Sequence, residues 1–297
     1  MTTPATHITA FFDSYSSTFS YVLDQGPGSA CAIIDPVLDY EPKSGRTSTD
    51  SAEQLVQFVR ERQLQLHYIL ETHAHADHLS SAPWLRQQLG GQIVIGQPIT
   101  TVQKTFSGIY NLKDLALDGS QFDLLLSEGD SLQLGSLRIE AMHVPGHTPA
   151  DMAYHVITAA GEADLVFVGD TLFAPDAGTA RCDFPGGNAH QMFHSVRRLL
   201  SLPADTRVFL CHNYAEGLAA DPAAFCEHTV AEHKAGNIHV HDGISEEAFV
   251  SMRTARDKTL DMPKLILPAV QVNIRAGQLP PAEDNGTHYL KIPLNVL

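Results

Sequence analysis

Glu71-Thr72-His73-Ala74-His75-Ala76-Asp77-His78 is the stretch that decides how this chain reads. Three imidazoles and one carboxylate fall within six residues. Before it, His67 to Glu71 includes the apolar run Tyr68-Ile69-Leu70 and reads as a buried strand. After it, Ser80 to Leu89 reads as a helix. Residues two apart in extended chain point the same way, so His73 and His75 converge on one point. Asp77 and His78, past the bend, face a second point nearby. Imidazole with carboxylate suits zinc or non-heme iron better than magnesium or calcium. A lone histidine is commonly a solvated loop residue. Four potential ligands at this spacing, at the C-terminal end of a strand, predict a metal site.

Composition bounds the rest. The chain has 297 residues, 43% hydrophobic and 18% charged, which describes a globular protein with a real core. A formal net charge of −15 repels phosphate backbones and anionic lipid, so neither nucleic acid nor membrane is an expected partner. No run approaches the roughly 20 apolar residues of a membrane span. Met1 to Ala10 has neither the basic start and apolar stretch of a secretion signal nor an Arg for a mitochondrial one, so a cytoplasmic location is expected. Cys31, Cys182, Cys211 and Cys226 are irregularly spaced and read as reduced, half-buried thiols.

Along the chain, Ile8 to Asp24 holds two strand-like pieces and Ala30 to Ile34 a short apolar strand ending at Asp35-Pro36. Asp39 to Thr49, rich in Pro, Gly, Ser and Lys, reads as a surface loop. A helix opens at Asp50 to Glu53 with Leu55, Val56, Phe58 and Val59 as its buried stripe. Gln97 to Gly119 holds a short helix around Val102 to Tyr110. Strands follow at Phe122–Leu126, Leu132–Leu134, Leu137–Val144, Met152–Ile157, Leu165–Val168 and Arg207–Leu210, with a helix over Ala189–Leu200. Asp221–Lys234 and Ser245–Thr259 read as helical, and Lys264–Leu267 as strand-like. Two β-rich halves, each followed by helices, predict a sheet-on-sheet sandwich covered by helices. With no Gly/Ser-rich linker, 1–297 reads as one domain with a helical and extended tail from about 222.

Three further strands end in a potential ligand: His147, Asp170 and His212. Asp170 follows a wholly apolar strand, where a carboxylate is costly without a cation beside it. His73-x-His75-x-Asp77-His78, then His147 in Pro-Gly-His-Thr, Asp170 in Gly-Asp-Thr and His212 together resemble, in order, the ligand series of the metallo-β-lactamase superfamily. The resemblance covers most of residues 8–215 and implies an α+β fold, a four-layer αβ/βα sandwich with the site at one sheet edge. In binuclear members the positions matching His73, His75 and His147 hold one metal. Those matching Asp77, His78 and His212 hold the other, and Asp170 bridges.

Two branches acting on glutathione adducts come into question. Gly178-Thr179-Ala180-Arg181-Cys182-Asp183-Phe184 resembles the Gly-x-x-Arg-x-Asp-Phe segment of persulfide dioxygenases, with Cys182 where Thr is common. The tail from Met262 through Gly277 resembles a bacterial subgroup of the same branch. That resemblance implies one Fe(II) per chain on His73, His147 and Asp170. It implies oxidation of glutathione persulfide with O₂ to sulfite and glutathione, and hints at a homodimer. His75, Asp77, His78 and His212 then orient ligands or relay protons. The competing reading is a glyoxalase II-like hydrolase of a glutathione thioester with two zinc or iron ions, since all seven binuclear positions are present. A non-catalytic metal-binding or redox-sensing protein is the third class. For the carboxylates of glutathione, Arg181, Arg253 and Arg256 are the candidate partners, with Tyr214 beside the peptide. Cys182 either lies near the site or packs.

Overall fold

The computed structural model describes residues 5–158, 162–215, 218 and 221–296. Strands β1 (His7–Asp13), β2 (Thr18–Asp24) and β3 (Ala30–Ile34) lead into β4 (Val37–Glu41), β5 (Arg46–Ser48) and helix α1 (Asp50–Glu61). Then come β6 (Gln65–Leu70), β7 (Leu79–Ser80), α2 (Ala82–Leu89), β8 (Gln92–Gly96), α3 (Ile99–Tyr110) and β9 (Leu124–Leu126). The second half runs β10 (Ser131–Leu134), β11 (Leu137–His143), β12 (Met152–Ile157), β13 (Leu165–Phe167), α4 (Ala189–Leu199), β14 (Arg207–Phe209) and β15 (Glu227–Thr229). Helices α5 (Val230–Gly236), α6 (Glu246–Asp257) and α7 (Ile266–Asn273) close it.

Two six-stranded sheets, ordered β1-β2-β3-β6-β8-β9 and β10-β11-β12-β13-β14-β15, pack face to face. Alternation along each strand decides which side chains meet. In β2, Phe19, Tyr21 and Leu23 point between the sheets, against Tyr154, Phe167 and Phe209 of the second sheet. Val22, one residue out of step, faces the outer layer of α1, α2, α3 and α7. On the far side of the second sheet, Ala153 and Val166 meet Met192 and Val196 of α4 and Phe249 of α6. These are four layers, helix on sheet on sheet on helix. Strands buried on both faces read as continuous apolar runs, which is why their periodicity is faint in the sequence.

Local rules explain most boundaries. Asn188 caps α4 by accepting from Gln191 N at 3.0 Å, and Met192, Val196 and Leu199 form its buried stripe. Three expectations are corrected. Asp39–Thr49 is a hairpin of β4 and β5 rather than a loop, with β4 also pairing β7. Asp221–Lys234 is a short helical turn and β15 before α5, because β15 pairs antiparallel with β14 as an edge strand. Lys264–Leu267 is the start of a helix. Ile266 and Val270, one turn apart, face one core cluster, while Leu265, Ala269 and Val272 face another. Pro268 is tolerated in the first turn. Tertiary packing on two sides overrides the strand propensity of Ile and Val. Among the described residues no helix is long and apolar enough to cross a membrane.

Candidate metal centre

The predicted ligands gather at the C-terminal ends of the central strands. His73 and His75 leave β6, Asp77 and His78 precede β7, and His147 lies between β11 and β12. Asp170 sits in the turn Gly169–Thr171 after β13, and His212 follows β14. Gly169 has φ +52°, and a Cβ there would come within 2.8 Å of Thr72 Oγ1. Only glycine lets the Asp170 turn press against the ligand strand.

The side chains form two groups. The ligand atoms of His73, His147 and Asp170 all lie within 4.8 Å of one another, as do those of His75, Asp77 and His78. Asp170 stands between the groups. Its Oδ2 is 3.5 Å from His147 Nε2 and 3.9 Å from His73 Nε2. Its Oδ1 is 3.3 Å from His212 Nε2, which is also 3.3 Å from Asp77 Oδ2.

Five buried atoms here have no hydrogen-bond partner among the described residues: His73 Nε2, His75 Nδ1, His78 Nε2, His212 Nε2 and Asp170 Oδ1. Each such orphan costs about 1–3 kcal/mol, so their convergence fits a cation that would satisfy them. The opposite ring nitrogens are held. His147 Nδ1 donates to the Arg181 carbonyl at 2.8 Å, and His212 Nδ1 to the Ser17 carbonyl at 3.1 Å. His75 Nε2 donates to Asp35 Oδ1 at 3.0 Å. Carbonyls and carboxylates only accept, so these bonds leave the free lone pair on the nitrogen that faces the site. The donor set of imidazoles and carboxylates fits one or two transition-metal ions.

Burial, then the neighbouring His75, holds His73 well below the usual imidazole range, and burial, then His78, does the same for His75. Both are neutral at pH 7, as ligands must be. Burial pushes Asp77 upward, but His212 and His78 outweigh it and hold its carboxyl well below the usual carboxylate range.

Sequence reasoning missed the supports. Asp35, at the end of β3, accepts from Thr72 N at 2.7 Å, Thr72 Oγ1 at 2.9 Å and His75 Nε2. Burial raises its carboxyl above the usual range, with His73 opposing. A carboxylate after a wholly apolar strand was the signal that found Asp170, and it would have found Asp35. Glu71 is buried, accepts from Ser80 Oγ and lies 3.7 Å from His75 Nε2. Asn273 reaches the ligand run from α7, and no local signal marks it.

A cleft of about 690 Å³ opens on Asp77, His147, Asp170 and His212 and is walled by Tyr15, Phe184, Tyr214, Arg181, Arg253, Arg256 and Lys264. All four expected substrate contacts therefore border it, but not all are free. Arg181 is committed to Asp183 through Nε–Oδ1 at 2.6 Å and Nη2–Oδ2 at 2.9 Å, and its Nη1 donates to the Asp261 carbonyl. Arg253 is 1% exposed and bound to Asp257 Oδ1 through Nε at 2.7 Å. Arg256, three residues on, is exposed. Tyr214 is exposed, its ring nearly parallel to His212 at 6.3 Å. Cys182 packs in the outer core of the second sheet, and burial pushes its thiol up.

Comparison with known proteins places this geometry. The family described as "Metallo-beta-lactamase superfamily" matches residues 15–212. A probable metallo-hydrolase of Burkholderia pseudomallei is 53% identical over 98% of this chain and 99% of its own. Glyoxylase B2 of Dictyostelium discoideum is 44% identical over 98% and 97%. The human mitochondrial persulfide dioxygenase is 30% identical over 90% and 87%. Among solved structures, ETHE1 from Myxococcus xanthus superposes with a TM-score of 0.71 at 29% identity, covering 92% of this chain and 100% of that one. The fold, the order of the ligands along the chain and the extent of these matches agree: the chain belongs to the metallo-beta-lactamase superfamily.

Proposed function

We propose that this protein is an Fe(II)-dependent persulfide dioxygenase, oxidising glutathione persulfide with O₂ to sulfite and glutathione. One observation carries the reading. The 178–184 segment, which resembles the dioxygenases, is built into the ligand sphere. The Arg181 carbonyl fixes His147 Nδ1 at 2.8 Å, and the Phe184 ring meets His147 edge-on at 5.0 Å. Arg181 in turn lies 5.1 Å over Phe184. Likeness to a persulfide dioxygenase along 90% of this chain supports the same reading.

His73, His147 and Asp170 would hold the ion. An Fe(II) ion held by these residues would supply a Lewis-acidic, redox-active centre for a sulfur anion and dioxygen. With two imidazoles and one carboxylate as its holders, a divalent ion would keep one net positive charge, which would favour an anionic sulfur ligand. Phe184 and Tyr214 border this end of the cleft with apolar ring surface. The cleft's cations serve the peptide. Arg181 and Arg253 are consumed by Asp183 and Asp257, so they shape the wall. Arg256 is exposed and has no ion pair among the described residues; Lys264 is likewise exposed and lies 5.9 Å over the Tyr15 ring. These two are the cations available to the carboxylates of glutathione.

A second reading, the binuclear thioester hydrolase, draws on a specific observation. His75 Nδ1, His78 Nε2 and His212 Nε2 are orphaned as fully as His73 Nε2. The deciding experiment is metal analysis of protein purified without added metal, beside an oxygen-electrode trace with glutathione persulfide. The dioxygenase reading expects about one iron per chain and persulfide-dependent oxygen uptake, both lost in His147→Ala. Two tightly held zincs, no uptake and hydrolysis of a lactoyl-glutathione analogue would replace it with the hydrolase.

A further inference from the structure

The C-terminal helix α7 lies outside the residues that match the family, yet its last residue enters the ligand run. Asn273 is 4% exposed. Its Nδ2 donates to the His75 carbonyl at 2.9 Å and the His78 carbonyl at 2.8 Å, and its Oδ1 accepts from Ser80 N at 2.9 Å. One amide thus uses both donors and its acceptor on three backbone groups within residues 75–80. The orientation is fixed by chemistry, because exchanging O and N would set an oxygen against two carbonyls.

The helix end is docked independently of this amide. Gly277 lies so close to the segment that a Cβ would come 2.7 Å from the Ser80 carbonyl. Gln103 Nε2 donates to the Ile274 carbonyl at 3.0 Å, and Arg275 pairs with Asp114 at 2.9 Å. A rigid platform therefore presents the amide to the bend. The bend carries all three ligands of the second group, His75, Asp77 and His78. His75 and His78 must both aim ring nitrogens inward across it.

We propose that Asn273 is a positioning residue for the metal centre: it fixes the His75–His78 bend, so that α7 and the ligand run bind metal as one unit. Outer partners that orient ligands set affinity rather than supply it. The inference rests on the ligand assignment and not on which reaction the site performs.

The test compares wild type, Asn273→Ala and Gln271→Ala as full-length protein, metal-loaded and stripped. Two readouts are taken: the rate at which a chelator extracts zinc or iron, and the rise in Tm from stripped to loaded protein. Loss of Asn273 should weaken metal binding roughly ten- to hundredfold. Extraction should speed up, and the metal-linked rise in Tm should shrink. Gln271, on the same helix, bonds the Leu267 and Lys291 carbonyls and not the ligand run. Its loss should lower both Tm values alike and leave extraction unchanged. If Asn273→Ala behaves like that control, the proposal is overturned. Should Asn273→Ala fail to fold, Asn273→Asp keeps the acceptor for Ser80 N but opposes the two carbonyls with an oxygen. Wild-type extraction from that variant would equally overturn it. A wild type with no metal-linked rise would overturn the ligand assignment, and the proposal with it.

Discussion

Asp35→Asn should weaken this protein's hold on its metal while leaving most of its stability. The structure contains a chain of hydrogen bonds that ends on a ligand. Thr72 Oγ1 donates to Asp35 Oδ2 at 2.9 Å, and its remaining neighbour is His73 Nδ1 at 3.0 Å. With its proton given to Asp35, the hydroxyl can only accept from His73. Nδ1 therefore carries hydrogen and Nε2 presents its lone pair to the site. An asparagine that keeps its oxygen toward Thr72 N and His75 Nε2 places its NH₂ against Thr72 Oγ1. The hydroxyl then accepts from Asn and donates to His73 Nδ1. The hydrogen moves to Nε2, the wrong tautomer for a ligand. Restoring the ligand tautomer breaks one buried neutral hydrogen bond, about 1–3 kcal/mol, or roughly five- to hundredfold in metal affinity. Metal-free stability changes little, because the bonds are reversed rather than lost and Asn accepts the left-handed φ of +49°. A change near 1 kcal/mol corresponds to about 2–4 °C in Tm for a protein of this size or slightly smaller. The assay is metal titration beside apo-protein melting, with ¹⁵N chemical shifts of His73 reporting the tautomer. Thr72→Val, which breaks the chain without reversing it, should lose less affinity than Asp35→Asn. Wild-type affinity in Asp35→Asn, or His73 still protonated at Nδ1, would refute the reasoning.

Arg256→Ala and Lys264→Ala should each raise KM for glutathione persulfide several-fold, about 1 kcal/mol per exposed charge-assisted contact, with kcat unchanged; unchanged steady-state kinetics in both would remove them from substrate binding. Gly169→Ala forces a Cβ to 2.8 Å from Thr72 Oγ1 at φ +52°, so it should destabilise by at least 1–2 kcal/mol and weaken metal binding, read by thermal melting and chelator extraction. His233 is fully buried, its Nδ1 accepts from Asn237 Nδ2 at 3.2 Å, and burial first, then His228, lowers its pKa from 6.5 to about 4. The unfolded chain therefore takes up this proton before the folded one does. Above pH 6.5 the residue adds no pH dependence, and between 6.5 and 4 stability falls as pH falls, by up to about 3 kcal/mol. Denaturant melts from pH 7 to 4.5 should show a shallower loss for His233→Gln, and parallel curves would count against it.

Reading the chain forward succeeded where the cause was local. The run His73, His75, Asp77 and His78 marked the ligand-rich turn, but the expected convergence of His73 with His75 is corrected: His75 groups with Asp77 and His78, and His73 with His147 and Asp170. The ends of apolar strands located His147, Asp170 and His212, since a polar ligand after a buried run needs a reason to be there. The stripes of α1 and α4 followed from helical periodicity. Reading failed where the partner lay far away. Asp39–Thr49 became a hairpin because β7 pairs with β4. Ile266–Asn273 became a helix because two clusters claim opposite sides of it.

By itself, then, the sequence determined which side chains can bind metal and which strand ends carry them. Those are properties of residue type and short-range period. Only the tertiary structure decided which of them share an ion-sized space, which ring nitrogen each imidazole turns inward, and which arginines remain free. Asp35 and Thr72, Arg181 and His147, and Asn273 and His75 are brought together by sheet register and helix docking. A hydrogen bond acts over about 3 Å, so no pattern along the chain records a partner that arrives from another layer.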